Sequence, residues 1–321
     1  MPTRSGNAFE NSVALLSQQL QVDWSAVLER HSGKEFTLED RSLASRYALW
    51  SALEEVYDKT DFPFAVAASA ARTPSNFAQL ACICSPNLQT ALQRASQAGS
   101  VFDAMQLSVT ESDGMLTISA RSTDNSLPMP ESMQVALLAY CVEVTRLAAD
   151  KNFSPNQIML PEMAAWHSEA AAFFGTEPGV GAPELHIRLD DALMSFRTNH
   201  AEVWSVLETR LKLSGSSNLP DSEKVNEVLY ALLPSGLSTV EHVAAKLAVS
   251  KRTLQRKLSA EGETYQRLLH KTRQQLAHYY LSLADVPVNE IAGLLGYRDP
   301  HSFLRAYRGW TGERPMKADP G

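Results

Sequence analysis

The chain has 321 residues and a formal charge of −7, with 29 Lys+Arg against 36 Asp+Glu. Taken over the whole length, that charge argues against nucleic acid, because DNA affinity comes largely from neutralising phosphates. The length suggests two domains, and three cysteines (Cys82, Cys84, Cys141) exclude a disulfide framework and fit a reducing compartment. With no signal-peptide pattern and no 18-residue apolar span, the chain is expected in the cytoplasm with no membrane partner.

Residues 1–212 read as an α+β domain. Asp23 opens a short helix. Glu39–Thr60 carries an apolar stripe through Leu43, Tyr47, Trp50, Leu53 and Val56, and Ser85-Pro86 caps a helix running to Gly99. Phe102–Glu111 and Met115–Arg121 alternate around Asp113-Gly114, a hairpin signal. Helices are predicted over Glu131–Asp150, over Glu162–Phe174 with Gly175 as its stop, and near His200–Leu211. Short strands are predicted at Gln157–Leu160 and Leu185–Leu189. A domain of this size can bury a core and still enclose a pocket. Trp50, Phe64, Phe102 and His167 are the candidate ligand-binding residues, with His31 and Arg72 as further polar candidates; the competing reading of the aromatics is that they fill the core.

Residues 213–222 (Ser214-Gly-Ser-Ser-Asn-Leu-Pro-Asp-Ser222 at their centre) read as a linker, and 223–321 as an all-α domain. It holds two helix-turn-helix patterns, 239–262 and 288–310. In the first, Ser250 is an N-cap, Gly262 a stop, and Leu254 and Leu258 face inward, leaving Lys251, Arg252, Gln255 and Arg256 on the opposite side. In the second, Asp299 caps and Pro300 takes the first helical position. Phe303, Ala306, Tyr307 and Trp310 form the expected buried stripe, leaving His301, Ser302 and Arg305 exposed. Thr253, Arg267, Lys271, Arg273 and Arg308 are candidate phosphate contacts.

A helix over about 264–281 joins the two units. Eighteen residues give roughly 27 Å of rod, against a major-groove repeat of about 34 Å on one side of B-DNA. With some offset, one chain can place both reading helices in adjacent grooves. Charge is distributed accordingly: residues 221–321 hold 14 Lys+Arg against 11 Asp+Glu, and Lys251–Arg273 alone holds seven basic and two acidic residues. The positive field is local to the first reading helix and the start of the rod.

From Ser238 to Pro315 the chain resembles the C-terminal domain of AraC/XylS-type transcription regulators. The resemblance rests on Val243-Ala-Ala-Lys-Leu-Ala-Val-Ser-Lys-Arg-Thr-Leu-Gln-Arg-Lys-Leu258, Ile291-Ala-Gly-Leu-Leu-Gly-Tyr297, Phe303-Leu-Arg-Ala-Tyr-Arg-Gly-Trp-Thr-Gly312 and Pro315. The chain departs from the family at Pro287, where a hydroxyl cap is usual, and at Met316-Lys-Ala-Asp, where an aromatic and a basic residue usually follow. Trp166-His-Ser-Glu-Ala-Ala-Ala-Phe-Phe-Gly-Thr-Glu-Pro and Leu189-Asp-Asp-Ala-Leu resemble the arabinose-binding-like effector domain of the ornithine-regulator branch, not the sugar-sensing cupin. The resemblance implies operator DNA and RNA polymerase as partners.

Enzymatic readings lack their residues. Cys82-Ile83-Cys84 could place two thiols on one strand face, but zinc needs four ligands and no nearby pair supplies the rest. His167 and Glu169 lack HExxH spacing, Ser214-Gly-Ser-Ser is not a nucleophile elbow, and no phosphate-binding glycine fingerprint occurs. The expected function is a non-enzymatic, sequence-specific DNA-binding regulator needing no cofactor. It is expected to act as a homodimer and to be controlled by a small-molecule effector of unknown identity. The alternatives are a regulator whose N-terminal half only dimerises and, third, an enzyme with a DNA-binding tail.

Overall fold

The protein is described by a computed structural model over residues 8–32, 42–74, 76–98, 102, 105–124, 126–149, 152–161, 166–197, 204, 220–233, 236, 238–282 and 286–315. Two compact units divide the chain, Gly6–Asn199 and His200–Gly321.

The N-terminal unit runs α1 (Ala8–Gln19), α2 (Trp24–Ser32), α3 (Leu43–Tyr57), α4 (Phe62–Arg72), α5 (Phe77–Ile83), α6 (Leu88–Ala98), β1 (Met105–Ser112), β2 (Met115–Ser122), α7 (Glu131–Ala149), β3 (Gln157–Leu160), α8 (His167–Phe174), β4 (Gly179–Val180), β5 (Glu184–Arg188) and α9 (Leu189–Ala192). Helix α3 starts on Ser42, whose hydroxyl accepts the Ser45 N–H at 3.1 Å, and buries Tyr47, Trp50 and Leu53 along the predicted stripe. The hairpin turns through Asp113 (φ 52°) and Gly114 (φ 73°), the two positive angles of a type I′ turn, which sets Ser112 opposite Met115. The sheet order is β1-β2-β5-β3-β4, antiparallel except for β3 with β4. Helix α7 has buried residues on every side, the mark of a central helix, and α4 packs along it.

Three expectations change. Cys82 and Cys84 lie not on a strand but in and just after α5, which opens on Asn76 with its Oδ1 accepting the Gln79 N–H at 3.0 Å. Helix α6 is capped by Asn87, which accepts the Thr90 N–H at 2.9 Å; Ser85 instead donates to the Ala81 carbonyl at 2.7 Å. Helix α8 begins at His167, because Trp166 before it is not helical (φ −107°, ψ 21°); residues 162–165 of the expected range lie outside the described residues. The helix expected near His200–Leu211 also lies outside them, apart from Trp204.

The C-terminal unit contains α10 (Asp221–Leu232), α11 (Val240–Lys246), α12 (Lys251–Ala260), α13 (Tyr265–Ser282), α14 (Val288–Leu294) and α15 (Pro300–Thr311). Most of the expected linker lies outside the described residues, but Asp221 and Ser222 already belong to α10. Their N–H groups donate to Oε1 and Oε2 of Glu261 at 2.6 and 2.8 Å, which fastens the start of α10 to the end of α12. No helix among the described residues is long and apolar enough to cross a membrane.

Candidate nucleic-acid interface

The two helix-turn-helix units repeat one geometry. Leu247, Ala248 and Val249 donate to the carbonyls of Val243, Ala245 and Ala244 at 3.0 Å each. In the second unit Leu295, Gly296 and Tyr297 donate to Ile291, Gly293 and Ala292 at 3.0, 2.8 and 2.9 Å. The middle residue of each turn has positive φ, 55° at Ala248 and 67° at Gly296. Ser250 and Asp299 then cap the reading helices, accepting the N–H of Thr253 at 3.1 Å and of Ser302 at 2.8 Å.

On α12, Leu254 and Leu258 are buried while Lys251, Arg252, Gln255 and Arg256 are exposed. Lys251 donates to Glu241 of α11 at 2.7 Å and holds that carboxyl below its usual range. Thr253 is half-buried, with its hydroxyl 2.8 Å from that of Ser250.

On α15 only Phe303 of the expected stripe is buried; Ala306, Tyr307 and Trp310 are half-exposed. Tyr307 packs edge-on to Phe303 at 5.9 Å and to Trp310 at 6.4 Å, so the aromatics line one side without being sealed from solvent. His301 and Arg305 are exposed, and Ser302 is half-buried, its hydroxyl donating to Asp299 Oδ2 at 2.7 Å. The Ser302 hydroxyl and backbone bonds hold the Asp299 carboxyl below its usual range, so the cap stays anionic. Arg305 reaches back to Ser302 Oγ at 3.1 Å. The first helix of this unit starts after Pro287 with no side-chain cap, as expected from the missing hydroxyl.

Among the candidate phosphate contacts, Arg267, Lys271 and Arg308 are exposed. Arg273 turns inward: its Nε and Nη2 donate to the carbonyls of Leu295 and Gly296 at 2.8 and 2.9 Å, and its guanidinium lies 4.3 Å from the Tyr297 ring centroid. It joins the rod α13 to the turn of the second unit. At the first residue of the rod, the Tyr265 hydroxyl donates to the Ser238 carbonyl at 2.6 Å, beside the first unit. Sequence reasoning passed over Arg314, which shares a groove with His301, Arg305 and Arg308; its signal was a basic residue directly before Pro315.

In the N-terminal unit the aromatic ligand candidates Trp50, Phe64 and Phe102 are core side chains. Trp50 is fully buried, 5.5 Å from Phe62 and 6.1 Å from Phe102, and its indole N–H donates to Ser132 Oγ at 3.0 Å. Phe64 stacks on Phe173 at 4.7 Å. His31 is buried with Nε2 3.2 Å from Ser45 Oγ, Arg72 is exposed, and His167 is half-exposed at the start of α8. Among the described residues, no group of three or more His, Cys, Asp or Glu is placed to hold a metal.

Comparison with known proteins gives two family matches. A helix-turn-helix domain covers residues 243–318, and the N-terminal arabinose-binding domain of AraC transcription regulators covers 40–197. The chain is 44% identical over 92 residues to the ornithine utilization regulator of Pseudomonas aeruginosa, which is 29% of this chain and 27% of that protein. It is 37% identical over 96 residues to the regulator VirS of Mycobacterium tuberculosis, 30% and 28% of the two chains. These matches therefore span under a third of the relatives' lengths. The solved structure of the regulator CdpR from Pseudomonas aeruginosa aligns over 91% of this chain and 96% of its own, with 19% identity and a TM-score of 0.42. With its two matched domains, an arabinose-binding-type N-terminal domain and an AraC-type helix-turn-helix domain, the chain belongs to the AraC family.

Proposed function

We propose that the chain is a cytoplasmic transcription regulator that reads operator DNA through both helix-turn-helix units, acts as a homodimer, and is controlled by a small molecule bound to its N-terminal unit. The observation that carries the DNA reading is the pair of reading helices, each capped alike and each presenting an exposed arginine on a face with no core role. RNA polymerase is the downstream partner that the family implies. Selection of bound duplexes from a random pool by the full chain tests the first part. Enrichment of a site with two elements about one helical turn apart supports it, and no enrichment refutes it.

A second reading, in which the N-terminal unit only dimerises, is favoured by the burial of Trp50, Phe64 and Phe102, which ties these rings to core packing. A thermal-shift screen of small metabolites on the full chain separates the two. A specific ligand raises the melting temperature by mass action, whereas a pure dimerisation unit responds only to protein concentration.

A further inference from the structure

The outer side of α15 carries a groove of about 800 Å³ lined by Asp299, His301, Leu304, Arg305, Arg308 and Arg314. We propose that its far end is a DNA backbone-phosphate site whose cations are Arg308 and Arg314; the inference rests on the DNA-reading function above. The two ends of the groove differ in chemistry. At the start of the helix Asp299 is anionic and repels phosphate, while His301 and Arg305 stand where the N-terminal residues of a reading helix meet base edges. Arg308 lies one turn beyond Arg305, and Arg314 follows the left-handed stop at Gly312; the cations that act on the Asp299 carboxylate are Arg305 and His301, not these two. Nine residues separate Asp299 from Arg308, roughly 13 Å of helix, enough to pass from the groove floor towards the strand that borders it. Leu304 gives the arginine stems an apolar surface to lie on.

Gly309 is the second observation. It sits in the last turns of α15, a Cβ there would meet nothing within 4 Å, and its φ is not positive, so neither folding nor internal packing asks for glycine. A helical glycine is unfavourable relative to alanine, and one beside Arg305 and Arg308 leaves the helix backbone open to a close partner. Counting from the caps, Ser259 of α12 corresponds to Arg308, so the first unit lacks this cation. The site is a property of the second unit alone. A DNA strand is favoured over an acidic protein segment because the groove is continuous with the proposed base-reading residues His301 and Arg305.

The test is the salt dependence of full-chain binding to a random-sequence 30-base-pair duplex (about three helical turns). Replacing both cations, Arg308→Gln with Arg314→Gln, should make the slope of log K against log[KCl] shallower by about 1.8, since each phosphate neutralised contributes about 0.9. The double lysine variant should keep the wild-type slope, and Arg188→Gln, at an exposed side chain at the end of β5, should leave it unchanged. Base preferences recovered from a random pool should be the same for the glutamine variant and the wild type. An unchanged slope in the double glutamine variant overturns the inference and leaves the groove to a protein partner, and an altered preference at one base position overturns it in favour of base reading. Failure of the wild type to bind any duplex instead refutes the DNA-reading function itself, and is seen without any variant.

Discussion

Arg256 and Arg305 stand at the same position, six residues after the N-caps Ser250 and Asp299 of their reading helices. Their surroundings differ: Arg305 is hydrogen-bonded to Ser302 beside an anionic cap, while Arg256 is exposed on a helix that also presents Arg252 and Gln255. Arg256→Ala should therefore cost about 1–3 kcal/mol at the selected site and flatten preference at one base pair, and Arg305→Ala should cost less. Competition against single-base variants of the site measures both. Equal loss on every sequence would mean that Arg256 contacts phosphate.

Arg273 fixes the rod to the second unit with two hydrogen bonds and a stacked ring. Arg273→Gln should lower stability by about 2–3 kcal/mol, because two carbonyls lose a charged donor and the Tyr297 stack goes with it. Arg273→Lys should restore little, since a single ammonium cannot reproduce the planar fork. Urea unfolding of the full chain reads this out in the C-terminal transition. Full stability in the lysine variant would show that charge alone matters there.

The paired turns predict opposite effects of one methyl group. Ala248 holds a left-handed conformation that costs an L-residue about 1–2 kcal/mol, so Ala248→Gly should stabilise by up to about 1 kcal/mol. Gly296→Ala should destabilise by more than that. Its new Cβ would take on the same backbone cost and also meet Ser238 Oγ at 3.1 Å and Arg273 Nη2 at 3.4 Å. Thermal unfolding of the two variants gives the signs.

Burial pushes the thiols of Cys82 and Cys84 up to about 12 and raises that of Cys141 further. All three should resist alkylation at pH 8 in the native protein and react once it is unfolded, as read by mass. The linkage follows the same sign. The unfolded thiols ionise near pH 8.5 while the folded ones stay protonated, so their contribution to stability is complete below that pH. It is lost as pH rises towards 12, at a limiting rate of about 1.4 kcal/mol per thiol per pH unit. Stability that is flat from pH 8.5 to 10 would contradict this.

The C-terminal unit was legible because its signals are local. Caps such as Ser250 and Asp299, the stop at Gly262 and the Leu254–Leu258 pair each act within one or two turns. Helix α4, Phe-Pro-Phe-Ala-Val-Ala-Ala-Ser-Ala-Ala-Arg, escaped the sequence reading because alanine and valine leave no polar face to define a stripe, although Pro63 near its start marked it. Cys82 and Cys84 suggested a strand because alternate residues share a strand face, but the Asn76 cap made α5 helical. The inward turn of Arg273 was illegible for a different reason: the carbonyls it meets are 22 and 23 residues away, and no side-chain pattern announces a backbone acceptor. The same holds for Trp50, whose burial depends on Phe62, Phe102 and Ser132 arriving from separate elements.

The central claim is that one chain sets two reading helices in successive grooves, with α13 as a rod anchored by Tyr265 at one end and Arg273 near its middle. Hydroxyl-radical and methylation footprinting of the full chain on the smallest selected duplex tests it most directly. The account predicts protection of two major-groove segments on one side of the DNA, about one helical turn apart for each protomer bound. Arg305→Ala should weaken one of them and Arg256→Ala the other. Protection of a single groove per protomer, unaffected by Arg305→Ala, would contradict it and reduce the second unit to a packing element.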